Sequence, residues 1–254
     1  MRRREFCLVL AALAVSGGAL TGYSAFALPA NISAAIADAG RTQDDRDRDA
    51  ARKPADMLTF ANVRAGQSVV DLLPGGGYFT RLFSVAVGPK GKVYAFIPTE
   101  VAKFVKGGLP ANGSTPDPRH PNVVALVAPI GQFAIPTRVD MVWTSQNYHD
   151  LHDPFMGPAD IPAFNAAVLR ALKPGGLFIV LDHSALPGSG LTATNTIHRI
   201  DAAVVKKEVT AAGFVFVGES KVLSNPADPR TALVFDKSIR GHTDQFIYKF
   251  RKPA

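Results

Sequence analysis

From about residue 54 onward, short apolar runs bounded by glycine, proline or polar residues alternate with stretches whose apolar positions recur at helical spacing. That alternation demands parallel strands joined by crossover helices, hence an α/β domain. The runs predict strands at residues 69–73, 93–97, 123–127, 141–144, 177–181, 214–217 and 246–250. Helices are expected at 54–63, where Pro54 can occupy a first helical turn, and at 79–87, 101–105 and 161–172. One long helix is expected over 195–212, ended by Gly213. Residues 107–121 and 219–245 read as long connections, and no internal repeat is visible.

Two segments precede this pattern. Residues 31–53 are polar, with Asp44 to Asp49 alternating in sign, which suits an exposed helix with local ion pairs or a loose lead-in outside the core. Residues 1–27 read as an export signal, with Arg2, Arg3 and Arg4, an apolar stretch over 7–20, and Ala25-Phe26-Ala27 as a small-x-small cleavage site. Arg3-Arg4-Glu5-Phe6 resembles the twin-arginine export signature, so a periplasmic or secreted location follows as the expectation. The chain divides on this reading into an export signal (1–27), a polar lead-in (28–53) and the α/β domain (54–254).

Composition narrows the chemistry. With 254 residues and 47% apolar content the chain can bury a core, which excludes disorder of the whole chain. The one cysteine, Cys7, lies in the signal, so a disulfide framework, a cysteine-ligated zinc and a cysteine nucleophile are excluded from the mature chain. Cleavage takes the formal charge from +7 to +5, a modest excess clustered only at Lys237, Arg240, Lys249, Arg251 and Lys252. Without a recognisable motif or regularly spaced stacking aromatics, that cluster reads as a solvated face, and no nucleic-acid partner and no membrane association after cleavage are expected.

In an open parallel sheet, ligands sit beyond the carboxyl ends of the strands. After the first strand stand Asp71, Pro74, Gly75, Gly76, Gly77 and Tyr78, where successive glycines let main chain approach a ligand beside a helix N-terminus. Thr80 stands where a dinucleotide fingerprint needs glycine, and no Lys-Ser/Thr pair makes a phosphate loop. After the fourth strand come Asn147, Tyr148, His149 and Asp150, and after the fifth Asp182 and His183, so a histidine stands beside a carboxylate at both ends. His149 or His183 can act as a general base, since imidazole titrates near neutrality and a neighbouring acid can orient it. His198, Arg199 and Asp201, and Arg240 and His242, either reach the same mouth or serve as caps and ion pairs. Phe104, Phe133, Phe155 and Phe164 are candidates for an apolar pocket, although such spacing also suits a core.

Residues 71–79, Asn147 to Leu151 and Leu172-Lys173-Pro174-Gly175-Gly176 resemble the class I S-adenosylmethionine-dependent methyltransferases, particularly an exported bacterial branch of predicted methyltransferases. Asp182-His183, residues 198–201, 225–228 and 240–244 are similar to that branch as well. The resemblance covers about 200 residues and implies a Rossmann-like seven-stranded, mostly parallel sheet with helices on both faces, its last strand antiparallel beside the fifth. It implies S-adenosyl-L-methionine as cofactor and a small-molecule acceptor. The sequence departs from the pattern twice: Leu73 replaces the first loop glycine, and Ile97 stands where an acidic residue grips the ribose hydroxyls, leaving Glu100 as a substitute.

Methyl transfer is an in-line displacement that needs alignment and, for a poor nucleophile, proton removal. On this reading His149 or His183, with Asp150 and Asp182, handles the proton. Asp71, Pro74, Gly75 to Gly77, Tyr78, Glu100, Asn147 and Tyr148 form the cofactor site, with the Tyr148 ring facing the sulfonium. The rival reading is an exported, non-catalytic binding or scaffold protein that keeps the fold. A hydrolase or metal site has weaker support, because no Gly-x-Ser-x-Gly elbow occurs and His149-x-x-His152 matches no specific metal pattern. No metal site is assigned; a divalent ion between Asp150 and Asp182 is the one arrangement considered, because some methyltransferases use such an ion to position catechol-like hydroxyls.

Overall fold

The computed structural model describes residues 27–157 and 159–254, so the export-signal reading lies almost wholly outside the described residues. Four helices come first: α1 (Ala30–Ala37), α2 (Gln43–Asp47), α3 (Asp49–Arg52) and α4 (Pro54–Phe60). The alternating part then runs β1 (Ser68–Leu72), α5 (Tyr78–Val87), β2 (Lys92–Pro98), β3 (Val123–Ala128), β4 (Val139–Ser145), α6 (Ile161–Ala171) and β5 (Leu172–His183). It closes with α7 (Thr194–Ile197), α8 (Ala202–Ala211), β6 (Val215–Ser220) and β7 (Gln245–Arg251). The sheet order is β3-β2-β1-β4-β5-β7-β6. β7 is antiparallel to both β5 and β6, as expected, while the pairs among β1 to β5 are parallel.

Both faces of the sheet are covered, and successive residues of one strand feed opposite layers. Val69 and Trp143 join the layer formed with α1, α4 and α5, whereas Val70 and Val142 join the layer formed with α6 and α8. On α5 the spacing of Phe79, Leu82, Phe83 and Ala86 makes one apolar stripe, and all four are buried. Phe79 and Phe83 lie 4.7 and 5.4 Å from the Trp143 ring, fixing the helix that leads out of the glycine loop. Among the described residues no helix is long and apolar enough to cross a membrane.

Three sequence expectations need correction. The helix expected over 195–212 is two helices, because His198 turns left-handed (φ 55°) and the chain then runs extended, with Ile200 bridging Ser184 beside the end of β5. Ile200 N–H donates to the His183 carbonyl at 3.0 Å, and Asp201 restarts the helix by accepting from Ala203 N–H. The helix expected at 101–105 is a 3₁₀ turn, Thr99–Phe104. Residues 31–53 are not an exposed lead-in: Ile32 and Ala35 are core residues, and the Arg41 and Asp45 side chains are buried. The apolar residues of α1 and a set of internal ion pairs, rather than local helix pairs, account for that burial.

Candidate active site

Beyond the carboxyl ends of β1, β2, β4 and β5 lies a cavity of about 1210 Å³. Its floor at β1 is the loop from Leu73 to Gly77. Gly75 (φ 54°) and Gly77 (φ 78°) adopt left-handed backbone that only glycine takes without strain. Leu73 takes the same conformation (φ 55°) despite its side chain, which packs into the core beside the cavity floor. The loop therefore keeps a glycine-like path at its first position, at a cost of about 1 kcal/mol. Cβ atoms built at Gly75 and Gly76 would meet nothing within 4 Å, so both present bare main chain to open space.

The N-terminal helices clasp this loop. Arg81 pairs with Asp45 at 2.6 Å and donates to the Gly76 carbonyl at 2.9 Å. Asp49, on α3, pairs with Arg41 and accepts from the Tyr78 hydroxyl at 2.6 Å. Arg52 extends from the same helix into the cavity wall, 4.9 Å over the Tyr78 ring, and donates to Gln146 Oε1 at 3.0 Å. Sequence reasoning missed Arg48 and Arg52, which both line the cavity, since a run of alternating charges does not show which cations turn inward; Tyr78, an aromatic partner at the glycine loop, is a signal pointing to Arg52. Beneath the loop, Asp71 is buried and accepts from the Thr80 hydroxyl at 2.6 Å. Burial outweighs that bond and the nearby Arg52 charge, lifting the Asp71 carboxyl to about 7.

The opposite wall holds the imidazoles. Asp182, fully buried, accepts from the backbone and Nδ1–H of His149 (2.8 and 2.9 Å) and from the backbone of His183 (2.7 Å). Burial alone would raise Asp182, but the His149 charge and these bonds hold it below the ordinary carboxylate range. Burial likewise works against a charged His149, yet Asp182 and Asp150 overcome it and lift the imidazole to about 10. His183 goes the other way: burial, opposed by Asp182 but reinforced by His149 and Arg199, lowers it to about 3. At neutral pH His149 holds both its ring protons, while His183 is a neutral ring whose Nδ1 lies 2.7 Å from the Thr243 hydroxyl. His149 Nε2 lies 3.2 Å from Asp150 Oδ1 and 3.2 Å from His198 Nδ1.

Of the residues expected from sequence, Asp71, Pro74, Gly75, Gly76, Gly77, Tyr78, Asn147, His149, Asp150 and His183 all line the cavity. Asp182 stands behind the wall and acts through His149. Two do not belong there. Tyr148 is fully buried in the core, its hydroxyl donating to Glu208 and accepting from Asn165, so its ring cannot face a ligand in the cavity. Glu100 turns aside to accept the Ile130 backbone N–H at 2.9 Å, because the 3₁₀ turn after β2 carries it off the wall, leaving Ile97 as the cavity residue there. The idea of an ion between Asp150 and Asp182 also fails, since the His149 ring stands between the two carboxylates. Phe104 and Phe155 line the cavity, whereas Phe133 and Phe164 lie in the core.

Non-glycine residues in left-handed backbone concentrate here: Leu73, Gln146 and His198, half of the six among the described residues, line this cavity. Strain of about 1–3 kcal/mol each persists only where surroundings over-determine it, which is common at functional sites. For His198 the surroundings are a buried polar lattice. Arg199 pairs with Asp228 at 2.8 Å, Asp228 accepts the Asp244 N–H, and Asp244 accepts from Arg230 and Asn225. The segments 198–201, 225–228 and 240–244 thus converge behind His183 and His198.

No protein family's sequence profile matches the chain, and no curated protein matches it. Solved structures do. An S-adenosylmethionine-dependent methyltransferase from Aquifex aeolicus is similar at 18% identity and TM-score 0.52, covering 81% of this chain and 98% of that one. The glycopeptide N-methyltransferase MtfA, solved with sinefungin, is similar at 16% identity and TM-score 0.51, covering 82% and 87%. The [4+2]-cyclase SpnF is similar at 17% identity and TM-score 0.53, covering 83% and 81%. With the strand order and the cavity at the strand ends, these likenesses establish the fold of the chain as that of the S-adenosylmethionine-dependent methyltransferases.

Proposed function

We propose that the chain is an S-adenosylmethionine-dependent methyltransferase acting on a small-molecule acceptor. The observation that carries this reading is that the open backbone of Gly75 and Gly76 and the His149 and His183 imidazoles line one and the same cavity. Its volume of about 1210 Å³ exceeds the ~300–1,000 Å³ of a pocket for one ligand, leaving room for cofactor and acceptor together.

The residues present fit the amino-acid half of the cofactor. Bare amides at Gly75 to Gly77 can receive it, and the Arg52 guanidinium offers a charge partner for its carboxylate. The ribose half departs from the family pattern, with apolar Ile97 at the end of β2. When bound, S-adenosylmethionine supplies an electrophilic methyl carbon. His183, neutral at neutral pH, can accept a hydrogen bond from an acceptor hydroxyl or amine and so orient it, while its lowered pKa makes it a weak proton acceptor. His149, kept charged by Asp182 and Asp150, holds positive potential at the same wall and attracts an anionic acceptor. Asn147 fixes the wall by donating to the Leu73 carbonyl at 2.9 Å.

The Ile97 and Glu100 placements favour a second reading, a binding protein that has kept the cavity without the transfer; an exported location, as the N-terminal signal suggests, would separate it from cytoplasmic methyl donor. Calorimetric titration of the purified protein with S-adenosylmethionine, followed by assay of S-adenosylhomocysteine release with phenol, carboxylate and amine acceptors, tests both. Micromolar binding and acceptor-dependent release are expected. Binding without release for any acceptor class supports the binding protein, and no heat at millimolar ligand removes the cofactor from the account.

A further inference from the structure

The wall opposite the glycine loop holds three donors on different segments: His149 Nε2 and Asp150 Oδ1 from the turn after β4, and His198 Nδ1 from the left-handed residue that ends α7. Their separations are 3.2 Å (His149 to Asp150), 3.2 Å (His149 to His198) and 3.9 Å (His198 to Asp150). Donors bound about 2.1 Å from one ion, at right to tetrahedral angles, stand about 3.0–3.5 Å apart. Two of the three distances already satisfy that, and His198, the most exposed of the three side chains, closes the third by a small rotation. All three residues line the cavity.

We propose that His149, Asp150 and His198 form a binding site for a first-row transition-metal dication whose remaining coordination positions open into the cavity. The surroundings are those such a site requires. The Nδ1–H of His149 donates to Asp182, which holds the ring in place as carboxylates do for metal-bound imidazoles, and the metal replaces the proton on Nε2, which is released to solvent on binding. His198 is delivered by strained backbone that the buried Arg199–Asp228 pair holds in place. Two imidazoles with one carboxylate select a transition metal over magnesium or calcium, which prefer all-oxygen sites. Three protein ligands leave the site open, as in sites where a metal meets substrate rather than only holding a fold. The ligand chemistry that fits the open positions is an oxygen donor, a hydroxyl or carboxylate of the acceptor, presented to the same space that the glycine loop faces.

This inference does not depend on methyl transfer, and its test uses metal alone. The chelator-stripped protein is titrated with Co(II) while its visible d–d absorption is followed, then with Zn(II) as competitor. One Co(II) per chain, displaced by Zn(II) and not by Mg(II), is expected. His198→Ala and Asp150→Asn should each weaken binding at least tenfold, while His242→Ala, at an exposed histidine outside the cavity, leaves it unchanged. His149 is not used for this purpose, since its removal strands buried Asp182, and circular dichroism shows that each variant is folded. Absence of Co(II) bands, or equal binding by folded His198→Ala or Asp150→Asn, overturns the proposal and leaves the methyltransferase reading standing.

Discussion

Replacing Gly76 with valine is expected to weaken S-adenosylmethionine binding at least about 100-fold, near 3 kcal/mol, while changing stability by no more than about 0.5 kcal/mol. The expectation rests on a difference among the three loop glycines. Gly75 and Gly77 have positive φ, and a Cβ at Gly77 would also stand 2.9 Å from Arg81 Nη1, so substitution there damages the fold as well as the site. Gly76 does not have positive φ, and its Cβ would meet nothing within 4 Å. A side chain at Gly76 therefore strains nothing and projects into the space assigned to the ligand. Calorimetry beside thermal denaturation checks it: unchanged affinity in a folded variant would reduce the loop to a mere strand-to-helix turn.

Arg199→Ala is expected to cost about 3–5 kcal/mol, because it leaves the Asp228 carboxylate buried without its partner. For a chain of this size that corresponds to roughly 10 °C in melting temperature. Arg199 is fully buried and also donates to the Ala232 and Ser184 carbonyls at 2.9 and 3.1 Å. Burial works against an ionised Asp228, but the bonds from Arg199 and two backbone amides hold its carboxyl below the usual range. A double variant, Arg199→Met with Asp228→Leu, should recover part of the loss, since removing both charges also removes the cost of burying one alone. A shift below about 1 kcal/mol for Arg199→Ala would mean the lattice behind His183 and His198 relaxes freely and does not hold them.

What the sequence disclosed follows the physics of the sheet. Strands buried on both faces read as continuous apolar runs, so β1 to β5 and the residues at their carboxyl ends were visible, and with them Asp71, Gly75 to Gly77, His149, Asp150 and His183. Side-chain direction within a turn was not visible. Tyr148 and His149 are neighbours, yet one points into the core and the other into the cavity. Glu100 left the wall because a 3₁₀ turn advances differently from the short helix expected there. The break at His198 lacked any glycine or proline, and only Asp201, a good capping residue, marked where α8 starts. Residues 41–52 concealed their burial because two of the partners that hold them, Arg81 for Asp45 and Tyr78 for Asp49, lie elsewhere in the chain.

The claim on which the rest depends is that a ligand rests on the main-chain amides of the glycine loop. Amide resonances of Gly75, Gly76 and Gly77, followed by two-dimensional NMR while S-adenosylmethionine is added to the isotope-labelled protein, read those groups directly. All three are expected to shift in a saturable manner and to gain protection from solvent exchange. Resonances that stay in place at saturating ligand, or shifts confined to surfaces outside the cavity, would contradict the account.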